Sequence, residues 1–414
     1  MVKYGDNVSY QYNLVENKII SFLVFSIGFS INISQVISGI NVALSDLFLI
    51  LLFGYLLYKR IFYLNNYIFS YFLMIISFRL FSTLLIGNWI PITIAVSSLV
   101  VTLIKFLISL LYLFILISIF SLDAKVKMIF LKGMMYGTIL LGAISLIIFI
   151  LGPKFLHAII LFGDLRLRGF MNDPNFFGYM QISGFCVWLF NRFKSKLLNL
   201  VSIITYVCTI ILSASKTALL IFLFIIFVYL AYRFFTNKKS LVQVTIFIFS
   251  VVVLIGYILL EFKQIALVFT NIVNETPQLS RTMVLFDNFD IAVNSEGSGR
   301  TEAWHTAINI IKSTNYLGIG FVNYSDVANY ISGARTIAHN TYLQLAVEWG
   351  VIPLLISIVI IFRKIIDKIV SKDWNILFII GVSLVFSLSI SLQNSRLLWC
   401  LLAILFFKEK RNEF

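Results

Sequence analysis

The feature that most limits what this chain can become is a succession of apolar runs, most close to 20 residues long, recurring from Ile19 to Phe407. A run of that length crosses a bilayer as a helix. Inside lipid each segment must satisfy its own backbone N–H and C=O groups, which a helix does. The composition agrees: 60% of the residues are hydrophobic and 12% are charged, far from the balance of soluble domains. Polar breaks divide the chain into spans near 19–37, 42–58, 67–87, 92–120, 129–151, 174–191, 197–213, 217–233, 241–260, 341–362, 374–391 and 396–407. The expected fold class is therefore all-α: a polytopic transmembrane helical bundle of about 12 spans with a large extracytoplasmic helical loop. Three regions follow, namely helices 1–9 in 1–260, the loop in 261–340, and helices 10–12 with a cytoplasmic tail in 341–414. The polar stretch Met1–Lys18 precedes the first run without a small-residue cleavage site after that run, so the first span is read as retained.

Basic residues set the orientation. Lys59/Arg60, Lys125/Lys127, Arg192/Lys194/Lys196, Arg233/Lys238/Lys239, Arg363/Lys364/Lys368/Lys372 and Lys408/Lys410/Arg411 occupy every second connection and the tail. Those segments face the cytoplasm, which leaves both termini inside and directs the 261–340 loop outward. The net charge of +14 is thus a topology signal and gives no case for nucleic acid. Cys186, Cys208 and Cys400 fall within spans and show no metal-ligand spacing, so neither disulfides nor a metal are expected, and no cofactor is implied. The chain lacks self-similar halves, which argues against a symmetrical carrier.

The basic residues that topology leaves unexplained gather on the outer side, several at helix starts. Asp173 suits an N-cap and Pro174 the first helical position, so the sixth span opens just after Arg166 and Arg168. Lys216 opens the eighth span and Arg396 the twelfth. Helix N-termini and guanidinium forks both favour phosphate oxygens, so convergence of these starts would make a site for a diphosphate. In the long loop, Ala303, Trp304, Ala307, Ile308 and Ile311 form a helical stripe headed by Arg300, while Glu302 and His305 fall on the polar face. Gly318 and Gly320 read as a turn. His339 and Asn340 stand where the loop re-enters the membrane. Asn340, Thr341, Gln344 and Glu348 share one face of the following helix, with Glu348 about 12 Å into the span by helical rise. An ionisable group at that depth pairs or lines a cavity. For Asp46, Arg79 and Lys105, also within spans, the simplest expectation is an Asp46–Arg79 pair.

These residues resemble a known family. Arg168-Gly-Phe with Asp173-Pro174-Asn175, Ser213 to Lys216, Gly299-Arg300 with Trp304 and Gly318-Ile-Gly320, and His339-Asn340 with Glu348-Trp-Gly350 are similar to the O-antigen polymerase and O-antigen ligase family of bacterial membrane glycosyltransferases. The resemblance runs from about Arg166 to Val351. It implies a glycosyltransferase in the inner (cytoplasmic) membrane with its active site facing outward. The donor would be an undecaprenyl-diphosphate-linked oligosaccharide, used without metal or nucleotide sugar. It implies His339 and Arg300 as the functional pair and Arg168 in donor binding; Glu348 or Glu302, by its own placement, is the fallback base. The expected diphosphate-binding set is Arg166, Arg168, Asn175, Lys216, Arg300 and Asn340. Lys216 departs from the arginine common in the family and loses bidentate phosphate geometry. The partners implied are the lipid-linked donor and acceptor, membrane lipids and a chain-length regulator. Polymerase is the preferred activity, ligation to lipid A core the alternative. A lipid-linked oligosaccharide flippase and a non-enzymatic assembly subunit are the readings from other classes.

Overall fold

The computed structural model describes Leu14, residues 17–37, 40–163, 165–236 and 299–407. The expected ninth span, 241–260, and the first part of the long loop, 261–298, lie outside the described residues. Helices dominate what is described. They are α1 (Lys18–Ser30), α2 (Leu44–Tyr58), α3 (Asn66–Leu85), α4 (Val96–Leu122), α5 (Val126–Leu151), α6 (Lys154–Ile160), α7 (Pro174–Phe190), α8 (Lys196–Leu212) and α9 (Lys216–Thr236). After the gap follow α10 (Arg300–Ser313), α11 (Tyr324–Ser332), α12 (Thr341–Trp349), α13 (Val351–Val370), α14 (Trp374–Phe386) and α15 (Arg396–Phe406). Four helical segments among the described residues are long and apolar enough to cross a membrane: 66–88, 96–122, 126–151 and 216–236. Exposed apolar side chains such as Leu80, Leu84, Leu223, Phe224 and Val359 cover outer faces of these and neighbouring helices, as surfaces solvated by lipid tails require.

Three features depart from the all-α expectation. The first span ends early, at Ser30, and gives way to an antiparallel hairpin of β1 (Ser34–Ile37) and β2 (Ile40–Ala43). A second, two-residue pairing joins β3 (Leu161–Phe162) to β4 (Arg166–Leu167). The expected span 341–362 is two helices, broken at Gly350, whose φ of +86° and ψ of 162° are not helical. Two of the backbone groups freed by the break find partners in the preceding turn. Ile319 N–H donates to Val347 O at 2.7 Å, and Val351 N–H donates to Tyr316 O at 3.0 Å. The turn through Gly318 and Gly320, expected from sequence, thus packs against the interruption and pairs two of its exposed groups.

Two apolar cores result. The larger fills the bundle around α1, α4, α5, α7 and α15. The smaller joins Ile86 and Ile90 after α3 to Ala307 and Ile310 of α10, Val327 of α11, and Ala338 and Val347 beside and within α12. This second core fixes the described part of the loop onto the helix pair α12–α13. Along α10 the buried row is Ala303, Thr306, Ala307, Ile310 and Ile311, whereas Trp304 and Ile308 are exposed. The expected stripe is therefore rotated: both versions share 303, 307 and 311, and packing against the second core selected the Thr306/Ile310 flank.

Candidate functional site

Backbone capping at the start of α12 positions His339. The Asn340 carboxamide oxygen accepts from Tyr342 N–H (2.9 Å) and Leu343 N–H (3.1 Å), while its nitrogen donates to Leu388 O at 3.2 Å. Thr341 Oγ1 donates to Ile390 O and accepts from Leu392 N–H, both at 2.8 Å. The helix start is therefore tied to the segment that follows α14. His339, immediately before the cap, has φ of +48°. That left-handed conformation is costly for a residue with a Cβ and is kept only where its surroundings enforce it. Its imidazole is half-buried, and burial lowers its pKa below the ordinary histidine value. The Arg300 guanidinium lowers it further, and the Asp173 carboxylate opposes both effects. At neutral pH the ring is thereby held neutral and able to accept a proton. His339 is thus within electrostatic range of both Arg300 and Asp173, which belong to two other elements.

Asp173 is also the expected N-cap of α7, accepting from Asn175 N–H (2.8 Å) and Phe176 N–H (3.1 Å). Two residues on, Asn175 Oδ1 accepts from Arg166 at 3.1 Å, and the same guanidinium donates to Ser213 O at 3.1 Å. Arg166 therefore joins β4, the first turn of α7 and the turn between α8 and α9. Lys216 opens α9 three residues beyond Ser213. Close approach of α7 and α9 depends on Gly178, where an added Cβ would lie 2.7 Å from the Ala218 methyl. Arg168 donates to Ala158 O at 3.0 Å, and its Nε is buried with no hydrogen-bond partner among the described residues. Asn340 has both ends of its side chain engaged in holding the backbone, so its observed bonds are those of a cap.

Two expected features lie elsewhere. Arg396, at the start of α15, does not join the outer cations. It makes a bidentate pair with Asp46, at 3.2 and 3.0 Å, and also donates to Asn41 O. Asp46 accepts in addition from Tyr112 Oη (2.8 Å) and Ala43 N–H (2.9 Å). The expected Asp46–Arg79 pair is thus replaced by Asp46–Arg396, since β2 and α15 bring the guanidinium of residue 396 to the head of α2. Arg79, only 1% exposed, pairs instead with Glu348 at 3.6 Å and donates twice to Gly320 O, at 3.1 and 2.8 Å. Its guanidinium also lies over the Phe321 and Phe106 rings, 4.1 and 4.8 Å from their centroids. Glu348 accepts from Gln344 at 2.8 Å, which confirms their shared face, and belongs to this buried cluster. His339 has Arg300 and Asp173 as its charged neighbours, not Glu348. Glu302 and His305 are exposed, as expected.

What sequence reasoning missed is Asp173 as an electrostatic partner of His339. The signal was an acidic cap inside the motif that also holds Arg166 and Arg168, but capping alone accounted for it. Among known proteins, no curated sequence matches the chain. Residues 201–358, which include Lys216, Arg300, His339 and Glu348, match the sequence model of the family described as O-antigen ligase. The match covers less than half of the chain; together with the apolar helices already described, it makes the segment 201–358 similar to the O-antigen ligase family of membrane proteins.

Proposed function

We propose that the chain is a polysaccharide polymerase that joins undecaprenyl-diphosphate-linked repeat units at the outer face of the cytoplasmic membrane. What supports the reading is the electrostatic environment of His339, half-buried in a left-handed conformation before α12 and within range of the charges of Arg300 and Asp173. In the proposed step an acceptor hydroxyl attacks the anomeric carbon of the donor from the side opposite the diphosphate. The new C–O bond forms as the bond to the diphosphate oxygen breaks, with inversion and without a covalent enzyme intermediate. His339 takes the hydroxyl proton, and Asp173 favours the imidazolium that results. Arg300, supported by Lys216, Arg168 and Arg166, stabilises charge developing on the departing diphosphate. Asn175 would orient Arg166 toward it. No metal is assigned a part. Glu348 holds Arg79 and the α12 scaffold in this scheme, and is not the base.

The second reading is an O-antigen ligase, which would hand the glycan to lipid A core. The description of the matching family favours it. Both use the same donor chemistry and differ in the acceptor. Purified protein incubated with the lipid-linked repeat unit decides between them by gel analysis. A ladder formed without lipid A core supports polymerase, and product only with that core supports ligase. Full activity in both His339→Ala and Arg300→Ala would overturn either mechanism.

A further inference from the structure

Beside the site just described, a cavity of about 150 Å³ opens between α3, α4, α11, α12 and the turn before α15. Its wall includes Arg79, Lys105, Glu348, Gln393, Tyr324 and Trp349. Nothing in the transfer step above uses it. Engineered cavities of about 150 Å³ admit a benzene ring, so the volume suits one six-membered ring. The lining, however, is polar as well as aromatic. Three buried groups in it have no hydrogen-bond partner among the described residues: Gln393 Oε1, Tyr324 Oη and Trp349 Nε1. These residues are 8, 4 and 5% exposed. A buried polar atom left unpaired costs about 1–3 kcal/mol, so these three side chains leave unmet hydrogen-bonding capacity in the wall of one small cavity.

Charge narrows the class. Arg79 and Glu348 neutralise each other at 3.6 Å. Lys105 also lines the cavity, half-buried on α4, and has no ion-pair partner among the described residues. It senses Glu348 and Arg396 only at longer range. The walls therefore carry one cation in excess. A ligand matching all three properties is a pyranose: its C–H faces suit Phe106 and Trp349, its hydroxyls suit the polar side chains of the wall such as Thr102, Gln344 and Asn394, and a carboxylate on the ring suits Lys105. Location adds a constraint. Ile337 forms part of the rim, and His339 follows two residues later, which bounds the separation at about 7 Å of extended chain. Ala338 N–H between them is held by Gln344, itself on the cavity wall, at 3.1 Å.

We propose that this cavity binds one acidic sugar ring, a uronate, of the acceptor glycan, with Lys105 selecting its carboxylate. The assignment to the acceptor rests on the transfer reading given above; the binding of a uronate does not. The test uses the full chain in phosphatidylcholine nanodiscs, with sodium glucuronate and glucose as probes, read by saturation-transfer NMR and calorimetry. Glucuronate is expected to bind at least tenfold more tightly than glucose. Lys105→Met should remove that preference and Lys105→Arg retain it. Thr102→Phe, which fills the cavity from α4, should abolish binding of both sugars. Equal binding of the two sugars, an unchanged preference in Lys105→Met, or competitive displacement of glucuronate by phosphatidylglycerol would overturn the proposal. His339→Ala should bind glucuronate like the parent protein. If that variant also kept full transfer activity, the catalytic reading would fail while the uronate site stood.

Discussion

The Arg79–Glu348 pair gives the sharpest quantitative test of how this scaffold is held. The two charged groups lie 3.6 Å apart, and both residues are buried. At an effective dielectric of about 20, charges at that separation attract by roughly 4.6 kcal/mol before desolvation is counted. Removing one partner of a buried pair typically costs about 3–5 kcal/mol, because the remaining charge is stranded. The two single variants should nevertheless differ. In Glu348→Gln the guanidinium keeps both bonds to Gly320 O and two aromatic faces. In Arg79→Met the carboxylate keeps only amide donors, from Gln344 at 2.8 Å and Gln393 at 3.5 Å. Arg79→Met should therefore be the more damaging, and the double variant should be more stable than the sum of the two predicts, by about 3 kcal/mol or more. Unfolding followed by tryptophan fluorescence in detergent micelles, with all four proteins in one micelle, measures the cycle. Additivity within about 0.5 kcal/mol, or a more damaging Glu348→Gln, would refute the reasoning.

Other expectations follow from single observations. His339 as base must be neutral to act, and burial and Arg300 lower its pKa, so the acid limb of the pH–rate profile should lie below the ordinary histidine value. Arg300→Gln should move that limb upward and Asp173→Asn downward, measured with lipid-linked substrate. Asp173→Ala should in addition weaken the start of α7 by about 1 kcal/mol, seen as a lower unfolding midpoint, whereas Asp173→Asn should keep the cap. Gly320 has φ of +67°, and a Cβ there would press on the α3 backbone at Arg79 and Thr83. Gly320→Ala should therefore cost more than about 2 kcal/mol, against little change in Gly87→Ala, which has open space around it.

Legibility in the sequence tracked how local the determining interaction was. The cap of α7 by Asp173 and Pro174 could be read directly, because an N-cap bonds to N–H groups two or three residues ahead. The placement of Arg300 at a helix start, the 318–320 turn and the shared face of Gln344 and Glu348 were readable for the same reason. The break at Gly350 was not. Apolar continuity from 341 to 362 implied one span; Gly350 and Pro353, which lacks the N–H to reach Trp349 O, permit the stop, and the inserted 316–319 turn pairs groups it frees.

Sequence by itself determined a mainly helical chain with membrane-length apolar segments and the identity of the residues with chemical potential, because hydropathy, helical period and capping act over a few residues. Tertiary structure decided which of those residues meet. It joined Asp46 to Arg396 and Arg79 to Glu348, turned α10 onto its Thr306/Ile310 flank, and brought Asp173 within electrostatic range of His339. Partner choice between charges depends on which helices are neighbours and how each is rotated about its axis, and that information resides in packing between segments hundreds of residues apart rather than in any one of them.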